Sequence, residues 1–150
     1  MRMAGLILVL LIAAAMAYVR LSPNAPARWH QDPMTAGQPG MSNGYLLRPT
    51  GGDAAAPDYA MTPEALAEKI DKVALSWPRT HLFAGSVQAG FMTYITRTRL
   101  WGFPDFTSVK VLPAPGGATF AAFARSRFGK SDLGVNKARL AAWLKDLGQN

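Results

Sequence analysis

"FMTYITRTRLWGFPDFTSVKVLPAPGGATFAAFARSR" runs from Phe91 to Arg127, and its reading decides the fold. Phe91 to Arg99 and Asp105 to Leu112 are rich in aromatic and β-branched residues, which fit a pleated, half-buried surface. "LWGFP" between them reads as a turn, and "PAPGG" as a strong hairpin signal. Ala118 to Phe128 continues as a further strand. Upstream, Thr80 to Val87 is strand-like and ends in the glycine-containing turn Gly85 to Gly90. Four strands with short connections predict an antiparallel meander.

A helix is predicted on each side of these strands. In "TPEALAEKIDKVALSWP", Thr62 is a good N-cap, Pro63 suits the first helical position and Glu64 favours the positive end of the dipole. Leu66, Ile70, Val73 and Trp77 form one apolar stripe, and Pro78 ends the helix. Glu68, Lys69, Asp71 and Lys72 lie off the stripe as a solvated face. The last helix covers Val135 to Leu147, with Leu140, Trp143, Leu144 and Leu147 on one side. The order is helix, four strands, helix: an α+β domain over residues 62–150 with helices on one face of a four-stranded antiparallel meander. Its roughly 90 residues would bury somewhat over 60 % of their unfolded surface, enough to fold alone.

The amino terminus is of another kind. In "MRMAGLILVLLIAAAMAYVR", Ala4 to Val19 is uninterrupted apolar sequence between Arg2 and Arg20. It falls slightly short of the ~20 residues of a typical span, yet is too apolar for an ordinary amphipathic helix. Two readings stand. It is an uncleaved anchor over residues 1–21, or a signal peptide with an A-x-A site at Ala15-Met16-Ala17. Either way, the remainder of the chain is exported. Residues 22–61 are rich in Pro, Gly, Asn and Ala and keep no period, which reads as an extended tether. Trp29, Tyr45 and Tyr59 either anchor it to the domain or stay solvated.

The composition narrows the chemistry. The chain has 150 residues, no cysteine and a formal charge of +7. The lack of cysteine excludes a disulfide, a thiolate metal site, a cysteine nucleophile and a lipidated cysteine. The basic balance favours anionic partners. "RSRFGKSDLGVN", Arg125 to Asn136, has the Gly-Lys-Ser of a phosphate-binding loop. That loop needs a glycine five residues before Gly129, where Ala124 stands, so the motif is excluded. Gly129 ends the strand instead, and Ser131 or Asp132 caps the last helix.

Strand direction supplies a candidate site. In a four-stranded meander the second and fourth strands point the same way. Their ends bring Arg97, Arg99, Arg125 and Arg127 to one corner, each pair spaced by two and so sharing a face. Asp105, Lys130, Ser131, Asp132 and Asn136 lie at the same end. Such a corner suits phosphate, sulfate or carboxylate. The alternative is that the acids pair with arginines and the rest are solvated edge charges.

The stretches "TRTRLWGFPDFTSVKV" (Thr96 to Val111) and "ARSRFGKSDLGVNKARLAAW" (Ala124 to Trp143) resemble the bacterial and plastid family called domain of unknown function 1499. The matching residues are Gly102, Phe103, Pro104 and Asp105, then Ser126, Arg127, Gly129, Ser131, Asp132, Gly134, Asn136 and Arg139. The resemblance implies a small α+β domain, often behind a membrane segment, and no activity.

These readings converge on an expected location and role. The domain is expected to face the periplasm from a bacterial inner membrane, or to be released there if the leader is cleaved. It is read as a non-catalytic module binding an anionic small molecule or lipid head group, with the membrane as its partner through the amino-terminal segment. The alternatives are a hydrolase, which needs His81 beside Ser131 and Asp132, and a structural envelope protein without a small ligand. Export argues against nucleic acid. No catalytic residue, cofactor or metal site is assigned, and no feature names a protein partner.

Overall fold

The computed structural model describes residues 2–148. In chain order it comprises α1 (Arg2–Leu21), α2 (Pro26–Trp29), β1 (Gly44–Arg48), β2 (Ala54–Ala55), α3 (Pro63–Ser76), β3 (Thr80–Ser86), β4 (Phe91–Arg97), β5 (Pro104–Ala114), β6 (Gly117–Ser126) and α4 (Val135–Gly148). The class is α+β, with an amino-terminal helix and one mixed sheet.

The meander of β3 to β6 forms as the turn residues predict. The count of four strands is corrected. The sheet has six, in the order β2-β1-β6-β5-β4-β3, with β1 antiparallel to β6 and β2 parallel to β1. The physical reason is the edge of β6. Left unpaired, it would present a row of bare amides and carbonyls beside its buried apolar residues. "GYLLR" covers it, with Leu46 and Leu47 fully buried. Asp53 fixes the return of the chain by accepting from the Leu46 amide at 2.7 Å and the Gly40 amide at 2.6 Å.

One face of the sheet packs on α3 and α4. Thr62 accepts from the Ala65 amide at 3.2 Å and Pro63 opens α3, as its sequence dictates. Leu66, Ala67, Ile70 and Ala74 then bury against Met92, Tyr94, Val109 and Phe120, joined by Leu140, Trp143 and Leu147 of α4. Val73 and Trp77 lie at the margin of this core.

The other face corrects the expectation of a tether. Strand alternation sends Ile95, Phe106, Phe123 and Leu46 away from the helices, and all four are buried. Residues 22–43 help cover that face as a strap. Trp29 stacks on Phe106 with centroids 4.4 Å apart, and His30 stacks on Phe91 at 3.9 Å. Asp32 pairs with Lys110, and Arg48 donates to the Pro33 and Ala36 carbonyls at 2.6 and 2.8 Å. A low apolar content without periodicity describes a strap as well as a linker, because a strap is held by a few aromatics and many backbone carbonyls.

α1 is exposed along almost its whole length, so it is no core helix. Met3–Leu21 is long and apolar enough to cross a membrane, with a mean hydropathy of 2.3. That is consistent with a membrane anchor or a signal sequence. Its last turn touches the domain: Val19 is buried, and Tyr18 packs edge-on against Phe128.

Candidate functional site

The residues expected at one basic corner separate into three groups, with Arg99 and Lys130 outside them. The division follows from the pleat. Register pairs Thr96 with Asp105 and Asp105 with Ser126, so these three share the helix face. Arg97 opposes Pro104, and Arg125 opposes Phe106, so these arginines take the strap face.

The first group builds the start of α4. Asp132 accepts from the Gly134 amide at 2.9 Å and the Asn136 amide at 3.0 Å, and Ser131 accepts from the Leu133 amide at 3.2 Å. The side-chain amide of Asn136 donates to Asp132 at 2.7 Å and to Ser126 at 3.2 Å. Arg139 donates to Asn136 Oδ1 at 2.8 Å and to Asp105 Oδ2 at 2.8 Å. Asn136, Arg139 and Asp105 are buried. One polar chain therefore joins the helix cap to β6 and β5. Asp105, Ser131 and Asp132 also line a hollow of about 300 Å³ with Phe103 and Phe128. Asp105, Ser131, Asp132 and Asn136 spend these contacts on the helix cap and on Arg139, and they are not among the hydrogen-bond partners of Arg97 or Arg127. Arg139, whose pairing with Asp105 organises the group, was visible in the sequence only as the last residue of the family pattern.

The second group is Arg125 alone. It is 5 % exposed and lies under Trp29, donating to the Trp29 carbonyl at 2.6 Å and to the Phe123 carbonyl at 3.2 Å. Its guanidinium sits 4.4 Å from the Phe123 ring. Burial pulls its pKa down to about 10, because no carboxylate compensates the lost hydration. Arg125 therefore leaves the candidate site. It holds the strap in place, together with the chain His30–Thr93–Ser108 whose links are 2.8 and 2.9 Å.

The third group retains the expected chemistry and gains a member. Arg97 and Arg127 meet Arg20, the last basic residue of α1. Arg20 donates to the Leu100 carbonyl at 2.8 Å and Arg97 to the Gly102 carbonyl at 2.9 Å. Arg127 donates through Nη1 to the Ser22 and Pro23 carbonyls, both at 3.2 Å, and to Asn24 Oδ1. Each uses one terminal nitrogen in these contacts. Burial lowers the Arg97 pKa, and the neighbouring charges of Arg127 and Arg20 lower it further. Three guanidiniums thus crowd together, and none of them is paired with a carboxylate among the described residues. Gly102, with φ +74°, makes the approach possible: a Cβ there would stand 2.9 Å from Arg20 Cγ.

An apolar collar surrounds this group. Phe128 touches Tyr18 of α1, Phe103 lies 5.8 Å from Phe128, and Trp101 stacks on Phe103. Leu100 and Leu133 project from the two adjoining loops, 68 % and 93 % exposed. Leu133 holds φ +53°, an unusual conformation for a branched side chain. Lys130 is exposed on the same loop. Arg99 is exposed and turns to the helix side, where it lines a separate cavity. His81 lies on the outer edge strand β3, with β4 and β5 between it and β6. It does not join Ser131 and Asp132, so the arrangement a serine hydrolase requires is not formed by these residues.

The fold and this corner define a class: a small α+β domain carried behind an apolar helix, with a basic, aromatic-rimmed end beside that helix. The particular family is given by comparison. The profile described as "Protein of unknown function (DUF1499)" matches residues 24–147, and the chain belongs to that family. The match begins inside the strap, in keeping with a unit that includes residues 24–61. No curated protein and no solved structure matches the chain.

Proposed function

We propose that this protein is a membrane-anchored, extracytoplasmic binding module whose basic corner engages the phosphate of an anionic lipid head group. One observation carries the reading. Arg20, Arg97 and Arg127 converge without a carboxylate at the point where the apolar helix meets the domain. A helix spanning the inner membrane from Met3 to Leu21 would hold that point at head-group depth. Guanidiniums favour phosphate there through charge-assisted, forked hydrogen bonds. Tyr18 and Trp101 are the residue types that settle at a membrane–water boundary. The periplasmic side rests on export of the chain by its leading helix. The role proposed is binding: the corner offers cations and aromatics, which hold an anionic group.

The test is a thermal-shift titration of the full chain in phosphatidylcholine nanodiscs with sn-glycerol 3-phosphate, at matched ionic strength. Ligand at ~100 times its Kd adds about 2.7 kcal/mol, several degrees for a domain of this size. Phosphatidylglycerol in the nanodisc should raise the melting temperature likewise and blunt the titration. The Arg97→Gln/Arg127→Gln variant should lose both responses. Equal shifts in the variant, or with sodium chloride alone, would remove this assignment.

A further inference from the structure

A second site lies on the opposite side of the sheet end. Between the carboxyl end of α3 and the first turns of α4 is a cavity of about 480 Å³. That volume is within the usual range for small-molecule pockets. Its walls are Trp77, Pro78, Val135 and Ala138, and its charged lining is Arg79, Arg97, Arg99 and the buried Asp105–Arg139 pair. Asp105 is committed to Arg139 at 2.8 Å, which leaves Arg79, Arg97 and Arg99 without a carboxylate partner among the described residues; the Arg97 guanidinium is turned to the Gly102 carbonyl, so Arg79 and Arg99 are the cations offered to a ligand.

Arg79 is placed by backbone rather than by chance. It comes directly after Pro78 and adopts φ +58°, in the left-handed region that a long side chain rarely enters. The Thr80 amide bonds back to the Trp77 carbonyl at 3.3 Å, closing the turn. The Arg79 Nε then donates to the Arg97 carbonyl at 2.9 Å, which orients the guanidinium beside β4. Arg99 is next in sequence to Leu100, whose carbonyl accepts from Arg20 at the end of α1.

We propose that this cavity binds a single anionic amphiphile, with a carboxylate between Arg79 and Arg99 and a compact apolar body between Trp77, Pro78, Val135 and Ala138. An apolar wall with two unpaired cations at its rim selects an acid over its neutral analogue. The buried ion pair fixes α4, which carries the Val135 and Ala138 wall, to β5. The cavity borders the head-group corner at Arg97, which lines both, but the proposed carboxylate contacts are Arg79 and Arg99 and not Arg20 or Arg127.

The experiment is ¹⁹F NMR of the full chain in phosphatidylcholine nanodiscs, with empty nanodiscs as the blank. The probes are 4-(trifluoromethyl)benzoate, an aqueous ring acid, and 10,10,10-trifluorodecanoate, a chain acid that partitions into the bilayer. The neutral comparator is 4-(trifluoromethyl)benzyl alcohol. Saturable broadening of at least one acid is expected, and the one that binds more tightly names the source, water or membrane. Ala138→Phe, an exposed helix position, should fill the cavity and abolish binding without lowering the melting temperature. Val135→Phe serves if that variant does not fold. Arg79→Gln/Arg99→Gln should weaken acid binding about tenfold or more and leave the alcohol unchanged. The proposal is overturned if neither acid binds above the blank, or if both filling variants bind like the parent.

Discussion

Replacing Trp29 with alanine tests whether residues 22–43 are part of the folded unit. Trp29 is 8 % exposed, lies flat on Phe106 at an interplanar angle of 13°, and covers the Arg125 guanidinium 5.5 Å from its ring. Losing a buried tryptophan costs about 3–5 kcal/mol. The lower end applies if the strap collapses onto Phe106, and the upper end if it peels away and wets Ile95 and Arg125. At this chain length, 3–5 kcal/mol lowers the melting temperature by about 6–20 °C. The assay is thermal unfolding of the full chain monitored by near-ultraviolet circular dichroism, with exposed Gln38→Ala as the control. A solvated tether makes a different forecast: Trp29→Ala would act like a surface change, within about 0.5 kcal/mol. A shift of less than about 2 °C, equal to that of the control, would refute the strap.

Two further outcomes rest on buried polar groups. Asp105→Ala leaves Arg139 charged and buried without its partner, and should cost about 3–5 kcal/mol in chemical denaturation, whereas Asp105→Leu combined with Arg139→Met should recover much of the loss. A cost below about 1 kcal/mol for the single variant would show the pair to be solvated in solution. The strap should also loosen in acid, in two steps. Burial holds the His30 pKa below its ordinary 6.5, so the fold prefers neutral imidazole; that contribution is complete above pH 6.5 and falls away as pH drops through the lowered value. Burial pushes the Asp32 carboxyl up, but the Lys110 hydrogen bond, the Met34 amide and the charges of Lys110 and Arg48 outweigh it and hold the pKa below 3.8. The Asp32 contribution is therefore present above pH 3.8 and lost below it, as pH falls through the lowered value. Melting temperatures of the parent should decline between pH 7.5 and 5, and His30→Phe, which keeps the stack on Phe91, should flatten that decline. An identical slope in the two proteins would exclude His30 as the titrating group.

The elements that carry a local signal were legible. Thr62-Pro63 fixes the start of α3, and "PAPGG" fixes the β5–β6 hairpin, because capping and turn geometry are decided within a few residues. β1 was not legible. "YLL" between Gly44 and Arg48 is too short to show a period, and its register comes from β6, more than seventy residues further on. Tertiary pairing decides such a segment, not propensity. The strap failed to show for a related reason: Trp29 and His30 become informative only when Phe106 and Phe91 are known to face away from the helices. The basic corner was half legible. Sheet direction brought Arg97 and Arg127 to one end, but spacing alone could not say that Arg125 lies one pleat deeper, under Trp29. Nor could it show that Arg20, at the far side of the strap, returns to meet them.

The family pattern acquires a physical meaning from this division. Asp105, Ser126, Asp132, Asn136 and Arg139 satisfy one another, so their spacing records how α4 is fastened to the sheet. A pattern of that kind persists in any protein that needs the joint, whatever it binds, and so it names a fold rather than a reaction. Gly102 and Arg127 of the same pattern do something else. Gly102 admits the stem of Arg20, and Arg127 ties the strap's first carbonyls to the end of β6. Both residues join the leading helix to the domain. The fold thereby delivers a cationic, aromatic-rimmed surface to one fixed place, the end of an apolar helix, and sets Arg79 and Arg99 beside it without a carboxylate partner among the described residues. Function in this protein is therefore to be sought at the sheet end nearest α1, where charge remains after the fold's own hydrogen bonds are satisfied.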